Sequence, residues 1–415
     1  MRTLYVDMTE PKRLINPELD RLVQEMNLLA EPDEPEVGAE AVPALAGIDT
    51  PTLTVVAEGE PLERLLGEMV RRKASDLLLL PGAPPVLRVD GRLGALAQPA
   101  VDTETVRMLF ANHLGPRTRQ ALAETGCADL SLRYGETADD DGGWRLRVNL
   151  QRQRGGLAAA VRALPRRIAA LAELGLPARL ADLTRAAKGL ILICGPTGSG
   201  KTTTLAALLD SLNRSEVRHV ITIEDPIEYV HANRRCIFEQ VEVGTDSPSF
   251  AHALRSALRR DPDVILVGEM RDLETIATAV TAAETGHLIL ATLHSSDVGQ
   301  AVHRIVDVFP AAQQTQIRHQ LALSLHAVLC QQLVPRADGR GRVPAVELLL
   351  ATYAVRNTIR NGAIERLPNE MLTSRGLGMR LLELSLAELV AAGTITAEEA
   401  RARAVRPDEL ARLLR

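Results

Sequence analysis

Aromatic side chains are scarce in this chain of 415 residues, which has one tryptophan, four tyrosines and four phenylalanines. Proteins that bind single-stranded nucleic acid use such rings as stacking platforms for bases. The formal net charge is −5, so the chain also lacks the excess of positive charge that attracts a polyanion. Both absences argue against nucleic acid as a partner, and they make a nucleic-acid translocase the least favoured function.

Paired cysteines and long apolar runs are also missing. The four cysteines lie far apart and form no CxxC pair, so neither a zinc site nor a disulfide framework is predicted. No apolar run approaches the ~20 residues of a membrane-spanning helix, and residues 1–10 have no signal-peptide pattern. Hydrophobic residues make up 46% and charged residues 24% of the chain, as in a globular protein. We therefore expect a cytoplasmic protein without a transmembrane segment.

The N-terminal part of the chain divides into an extension and a small domain. An acidic, proline-rich stretch marks residues 1–55 as a loosely attached extension, with one short helix over 17–29. A helical pattern from Pro61, a hairpin signal, a second helix over 103–114 and a clean alternation over 144–150 predict an α+β domain over 56–165.

The remaining length is enough for a second, larger domain. Residues 166–185 have the character of a linker, and charged amphipathic helices are predicted for a tail over 366–415. Between them, over 186–365, four apolar strands, at 190–194, 220–223, 264–267 and 288–293, alternate with helical segments. This order predicts a mainly parallel sheet covered on both faces, with ligands at the carboxyl ends of its strands.

A glycine-rich loop is the strongest motif of this larger domain. Residues 195–204 read GPTGSGKTTT, between a strand-length apolar run and a helix-forming segment. Glycine lets backbone N–H groups approach an anion closely, and the start of the helix favours negative charge. We expect Lys201 to reach the β- and γ-phosphates of a nucleoside triphosphate and Thr202 to bind Mg²⁺. The predicted phosphate-binding residues are Gly195, Pro196, Thr197, Gly198, Ser199, Gly200, Lys201, Thr202 and Thr203.

Two acidic segments follow other strands of the predicted sheet. The first, at 221–229, carries Glu224 and Glu228, and the second, at 261–269, ends on Glu269. A carboxylate near the γ-phosphate can position or activate water, and Glu269 is suited to bind Mg²⁺ directly or through water. A solvated acidic loop is the alternative for the first segment.

Histidines and arginines supply the remaining candidates. His287 and His294 frame one apolar strand without a third metal ligand at useful spacing, so they either sense the phosphate or simply cap the strand. Arg147 lies on the polar face of the alternating strand, and Arg162 follows it in AVRALP. An arginine from another domain or subunit can stabilise charge in phosphoryl transfer. Ordinary surface arginines are the alternative.

These motifs resemble those of the type II/type IV secretion ATPases. The matching stretches are GPTGSGKTTTLAALLD, ITIEDPIEYVH, ALRSALRRDPDVILVGEMRDLET and AETGHLILATLH, while RIVDVFP at 304–310 and AVRNTIR at 354–360 resemble the pilus retraction branch. The resemblance implies an α/β fold, with a RecA-like P-loop ATPase domain, a smaller α+β PAS-like N-terminal domain and C-terminal helices. It implies an ATP-hydrolysing, Mg²⁺-dependent homohexamer that drives type IV pilus retraction and twitching motility.

The same resemblance implies roles and partners. Expected partners are further copies of the chain, the inner-membrane platform protein of the pilus machine and another pilus ATPase, with docking at the inner face of the cytoplasmic membrane. By position in the family's motifs, the Walker B acid is Glu269, the water-activating residue is Glu228 in preference to Glu224, the His box is His287 and His294, and the arginine fingers are Arg147 and Arg162.

The sequence departs from the family pattern in a few places. Leu78 stands where the family has a histidine, and Lys188 stands where an arginine commonly precedes the ATPase strand. Lysine keeps the charge but lacks the planar fork of arginine. The tetracysteine zinc insertion of the assembly and secretion branches is absent, which favours retraction. The alternatives are an accessory retraction subunit, a secretion or assembly ATPase of the same superfamily, and a regulatory ring subunit without enzymatic activity.

Overall fold

The computed structural model describes residues 54–56, 59–89, 91–135, 143–165, 167–177 and 179–415. The helix predicted for 17–29, and all of the predicted extension except 54–55, lie outside these ranges. No helix in the described part is long and apolar enough to cross a bilayer.

The first part of the described chain forms a seven-stranded sheet in the order β1-β5-β6-β7-β2-β3-β4. β1 runs parallel to β5, and the other neighbouring strands are antiparallel. The strands are β1 (Thr54–Val56), β2 (Asp76–Leu79), β3 (Val86–Val89), β4 (Arg92–Ala95), β5 (Cys127–Tyr134), β6 (Trp144–Gln153) and β7 (Gly156–Ala163). The helices are α1 (Pro61–Arg71), α2 (Thr103–Phe110) and α3 (Pro116–Glu124).

The apolar patterns of the sequence form the core of this sheet domain. In α1, Leu62, Leu66 and Met69 are fully buried, and burying each such side chain contributes about 1.5–3 kcal/mol. The alternation predicted for β6 is confirmed, since Leu146 and Val148 are buried while the residues between them are partly exposed. The helix expected over 103–114 ends at Phe110 and continues as a 3₁₀ turn, so its predicted end was wrong by a few residues.

A second seven-stranded sheet has the order β10-β9-β11-β12-β8-β13-β14. Its first six strands are mutually parallel, and β14 is an antiparallel edge strand. The strands are β8 (Gly189–Cys194), β9 (His219–Glu224), β10 (Ile237–Glu242), β11 (Val264–Val267), β12 (Leu288–Leu293), β13 (Leu325–Pro335) and β14 (Arg342–Leu350). The predicted parallel sheet and its four apolar strands are confirmed, whereas β10, β13 and β14 were not predicted.

Helices cover both faces of this second sheet. They are α4 (Leu180–Leu183), α5 (Lys201–Ser215), α6 (Phe250–Ala257), α7 (Leu273–Thr285), α8 (Val298–Asp307), α9 (Ala311–Ser324) and α10 (Tyr353–Arg360). Strands β8, β9, β11 and β12 contribute alternate side chains to two separate apolar clusters, one on each face. A parallel strand buried on both faces reads as a continuous apolar run, which explains why sequence patterning found these four strands.

The tail packs on the β13–β14 edge of the sheet. Its helices are α11 (Leu367–Thr373), α12 (Leu382–Ala391), α13 (Ala397–Arg403) and α14 (Pro407–Leu413). Val334 of β13 and Leu386 of α12 share one apolar cluster. Beside it, Arg406 Nη1 lies 3.2 Å from carboxylate oxygens of both Glu347 and Glu383. The tail is therefore attached by apolar packing and by a buried ionic cluster.

Candidate nucleotide-binding site

The glycine-rich loop connects β8 to α5 at the carboxyl edge of the second sheet. Pro196, Thr197 and Gly198 are exposed at its tip, whereas Ser199 is buried. Gly200 has φ +89°, and a Cβ on it would lie 2.9 Å from Gln331 Nε2. The loop therefore needs glycine here, both for the left-handed backbone and for its close packing on β13.

Lys201 begins α5 and folds back over this loop. Its Nζ donates to the carbonyl oxygens of Gly195 at 2.8 Å and Pro196 at 3.1 Å. Partial burial lowers the pKa of the ammonium group, and the charge of Glu269 acts in the opposite direction. A phosphate chain fits this cradle, because it offers the ammonium a stronger acceptor than two neutral carbonyl groups.

The two threonines after Lys201 differ in their surroundings. Thr202, in the first turn of α5, is half-buried. The hydroxyl of Thr203 lies 3.1 Å from the phenol oxygen of Tyr229, so it is turned toward the acidic segment 221–229. The structure thus links the first turn of α5 to that segment.

Glu269 lies just beyond β11, beside the phosphate loop. Its Oε1 is 3.0 Å from Nε2 of His294, and the Arg271 guanidinium pairs with the same oxygen. Burial, and then the charge of Lys201, lowers the pKa of His294. Lys201, Glu269 and His294 are therefore brought together by three adjacent strands, β8, β12 and β11.

The two glutamates of the segment 221–229 have different environments. Glu224 is buried and accepts hydrogen bonds from Thr222 Oγ1 at 2.8 Å and Gln240 Nε2 at 3.2 Å. Burial raises its pKa. Glu228 is only half-buried. Glu224 is thus held within the protein, and Glu228 is the more accessible carboxylate.

Backbone contacts hold this segment against β10. The Ile227 N–H donates to Glu242 Oε2 at 3.1 Å, and the His231 N–H donates to Gln240 Oε1 at 2.9 Å. Gln240 also donates to Glu224 and to the Tyr229 carbonyl oxygen, so one side chain of β10 contacts this segment and His231 just beyond it. Gln240 was not among the sequence-predicted site residues, because a polar residue in an unpredicted strand offered no signal.

His287 and His294 lie at opposite ends of strand β12, His287 before its first residue and His294 after its last. His287 precedes β12, where its Nδ1 lies 3.3 Å from the carbonyl oxygen of Ala282. At about 3.3 Å per residue, the strand places the two histidines roughly 20 Å apart. Of these two histidines, His294 is the one that lies beside Glu269 and Lys201.

Arg147 and Arg162 are direct partners in the register of β6 and β7. Arg162 Nε lies 2.8 Å from Asp76 Oδ1, and Arg147 Nη2 lies 3.6 Å from Asp129 Oδ1. Both guanidinium groups are substantially exposed, and their ion-pair partners belong to the same sheet. The structure therefore places the two arginines side by side, each with its ion-pair partner in its own sheet.

Sequence reasoning missed Gln331 of β13. It is 3% exposed and contacts the phosphate loop through both ends of its amide. The available signal was a pair of adjacent glutamines, at 331 and 332, within an otherwise apolar run. Successive side chains of a strand point to opposite faces of the sheet. One of the two glutamines therefore had to face the buried side and find hydrogen-bond partners there.

The parallel sheet with its strand–loop–helix phosphate cradle defines a P-loop protein of the RecA-like α/β class. The chain belongs to the type II/IV secretion system protein family, whose model matches residues 61–392, and within it to the PilT-like ATPases.

Three similar proteins illustrate this membership. The chain is 42% identical over 347 residues to the type IV pilus retraction ATPase PilT of Pseudomonas aeruginosa, covering 84% of this chain and 99% of PilT. It is 38% identical over 348 residues to the type IV pilus ATPase PilU of the same organism, covering 84% and 90% of the two chains. A crystal structure of the pilus retraction motor PilT with bound ADP matches with a TM-score of 0.77 and 43% identity, covering 85% and 99%.

Proposed function

We propose that this protein is an ATP-hydrolysing homohexameric motor that drives type IV pilus retraction. The observation that carries the proposal is the convergence of Lys201, Glu269 and His294 beside the phosphate loop. It occurs in a chain whose similarity to a pilus retraction ATPase spans almost the whole of that protein. The solved PilT structure with ADP supports the choice of an adenine nucleotide.

Each residue of the site has a proposed role in hydrolysis. The loop amides and Lys201 bind the phosphates, and Thr202 and Glu269 would hold Mg²⁺, in part through water. When bound, Mg²⁺ supplies charge neutralisation at the phosphate oxygens. Glu228 orients the attacking water, because its carboxylate is accessible whereas that of Glu224 already accepts two hydrogen bonds.

The arginines of the N-terminal domain complete the proposed site. We assign this domain to 56–165 and the connection to the ATPase domain to 166–185. Arg147 and Arg162 stand side by side on its sheet, which supports their acting as a pair on negative charge. Their delivery to a phosphate loop requires a movement of domains or a neighbouring subunit. A hexameric ring would supply both the domain movement and the neighbouring subunit. We propose that His287 acts in the same contact between subunits.

The proposed place of action is the cytoplasmic base of the pilus machine. There the ring docks on the inner-membrane platform protein and converts hydrolysis into movement. A second candidate function is that of an accessory retraction ATPase, favoured by the 38% identity to PilU over nearly the same length. The two functions differ in whether the chain retracts pili without another pilus ATPase.

The first experiment is steady-state ATP hydrolysis against protein concentration, with light scattering on the same samples. We expect specific activity to rise as a species of about six subunits forms. The Lys201→Ala variant should form the same ring without turnover, because the phosphates lose their ammonium partner. Equal activity in the monomer would refute the intersubunit arginines, and a ring that never hydrolyses ATP would favour an accessory subunit.

A deletion strain separates retraction from export. Loss of a retraction motor leaves pili extended, so hyperpiliated cells without twitching motility are expected. Bald cells would instead indicate an assembly ATPase. Restoration of retraction by this chain in a strain without other pilus ATPases would identify the principal motor.

A further inference from the structure

Gln331 lies directly beside the phosphate loop although it is 132 residues from Ser199 in sequence. In the parallel register of β8 and β13, Cys330 is the partner of Cys194, the last residue before the loop. Gln331 is therefore opposite Gly195. A Cβ on Gly195 would lie 2.4 Å from the Gln331 carbonyl oxygen, so the loop starts in backbone contact with β13.

The side-chain amide of Gln331 connects two parts of the phosphate-binding segment. Its Nε2 donates to the carbonyl oxygen of Ser199 at 2.7 Å, and its Oε1 accepts from Thr204 Oγ1 at 2.8 Å. The reversed amide would set Oε1 against the Ser199 carbonyl oxygen, which places two acceptors together. The hydrogen bonds therefore determine which way the amide points.

This arrangement sets the direction of one peptide group of the loop. In a trans peptide the C=O and the N–H point in opposite directions. Because the Ser199 carbonyl group is held toward β13, the N–H of Gly200 points away from β13 and into the cradle. The N–H groups of such a loop are what a phosphate oxygen binds.

We propose that Gln331 is a positioning residue for phosphate binding, which orients the Ser199–Gly200 peptide and ties it to Thr204 in the first turn of α5. The inference rests on the proposed nucleotide site and extends it by a residue from a strand outside the four nucleotide-site motifs. Gln331 does not contact the nucleotide itself. Its effect is to keep one donor of the cradle aimed at the phosphate before the ligand arrives.

The test is the binding of ADP to the purified full-length chain, measured by calorimetry. Gln331→Leu keeps the size of the side chain and removes both hydrogen bonds. We expect its Kd for ADP to rise at least tenfold while the midpoint of thermal unfolding without nucleotide and the size of the ring stay close to wild type. Gln332→Leu is the matched control, since the neighbouring glutamine lies on the opposite face of the same strand.

Two further measurements distinguish positioning from a general loss of structure. Thr204→Val removes one of the two hydrogen-bond partners of the amide and should weaken ADP binding severalfold, in the same direction. In steady-state hydrolysis, Gln331→Leu should raise KM for ATP more than it lowers kcat. An ADP affinity within twofold of Gln332→Leu would overturn the inference. A wild-type chain that binds no ADP would instead overturn the proposed function.

Discussion

His294 Nε2 lies 3.0 Å from Glu269 Oε1, across the ends of the adjacent strands β12 and β11. The lowered pKa of the imidazole, caused first by burial and then by the charge of Lys201, favours a neutral ring. With its proton on Nε2, the neutral ring places a donor within reach of the Glu269 carboxylate, and this contact favours one orientation of that carboxylate. Because His294 follows β12, the position of this strand influences the orientation of the Glu269 carboxylate, which is proposed to hold Mg²⁺.

His294→Ala is expected to lower kcat for ATP hydrolysis by about 10- to 100-fold, the usual effect of removing a residue that orients a metal ligand. KM for ATP should change less, because Lys201 and the loop amides are untouched. The control is His303→Ala, an exposed histidine on α8. Turnover within twofold of the control would show that the contact with Glu269 is dispensable.

Glutamine substitutions separate the two glutamates of 221–229. Glu228→Gln should reduce kcat at least 100-fold with little change in unfolding temperature, because it removes the carboxylate proposed to orient water. Glu224→Gln should retain or raise the unfolding temperature. Its amide oxygen can still accept from Thr222 and Gln240, and a buried negative charge is removed. The reverse pattern, with turnover lost only in Glu224→Gln, would exchange the two roles.

Arg147→Ala and Arg162→Ala are expected to lower turnover in the assembled ring with less effect on ADP binding. Because the two residues are register partners, their effects on the activation free energy should not be additive in the double variant. Arg152→Ala, an exposed position on β6, serves as the control. Unchanged hydrolysis at saturating protein concentration would remove both arginines from the site.

The burial of His231 predicts that the stability of the folded chain depends on pH. Its ring stacks on Phe238 with centroids 4.7 Å apart, and its pKa is lowered from 6.5 to about 4 because burial disfavours the charged form. Between pH 6.5 and about pH 4, the unfolded chain binds a proton at this histidine that the folded chain does not bind. This contribution to the free energy of unfolding is therefore retained above about pH 6.5. It is lost as the pH falls toward 4, and the total loss is about 3 kcal/mol.

His231→Phe should remove this part of the pH dependence. The substitution is tolerable because Nδ1 of the ring is buried and has no hydrogen-bond partner among the described residues. Urea unfolding at pH 7 and pH 5 measures the difference for both proteins. Equal pH dependence in wild type and variant would mean that the folded chain binds the proton at His231 as readily as the unfolded chain.

The buried ionic cluster of the tail predicts that loss of its arginine strongly lowers the free energy of unfolding. The Glu347 and Glu383 carboxylates are almost completely buried and share Arg406 Nη1. Arg406→Met should destabilise the folded chain by about 3–5 kcal/mol, since removal of one partner leaves uncompensated buried charge. Arg401→Ala, an exposed arginine of α13, is expected to change the unfolding temperature little. A similar unfolding temperature in the two variants would contradict the cluster's importance.

The sequence alone determined the features that depend on local pattern. The phosphate loop is recognisable because glycine, lysine and threonine must stand at fixed spacing between a strand and a helix. The central strands are recognisable because burial on both faces leaves a continuous apolar run, as in Val264–Val267. Their parallel order then places Glu269 and His294 at the same edge as Lys201, as expected.

Tertiary structure decided which residues meet across long separations and which candidates are buried. Register placed Gln331 beside the loop and Arg147 beside Arg162, and strand pairing of this kind leaves no local trace in composition. The length of β12 separated His287 from His294, although both flank the same motif. Burial of Glu224 against Gln240 of the unpredicted β10 distinguished it from Glu228. Each outcome depends on contacts between distant segments, which form only when the whole sheet is assembled.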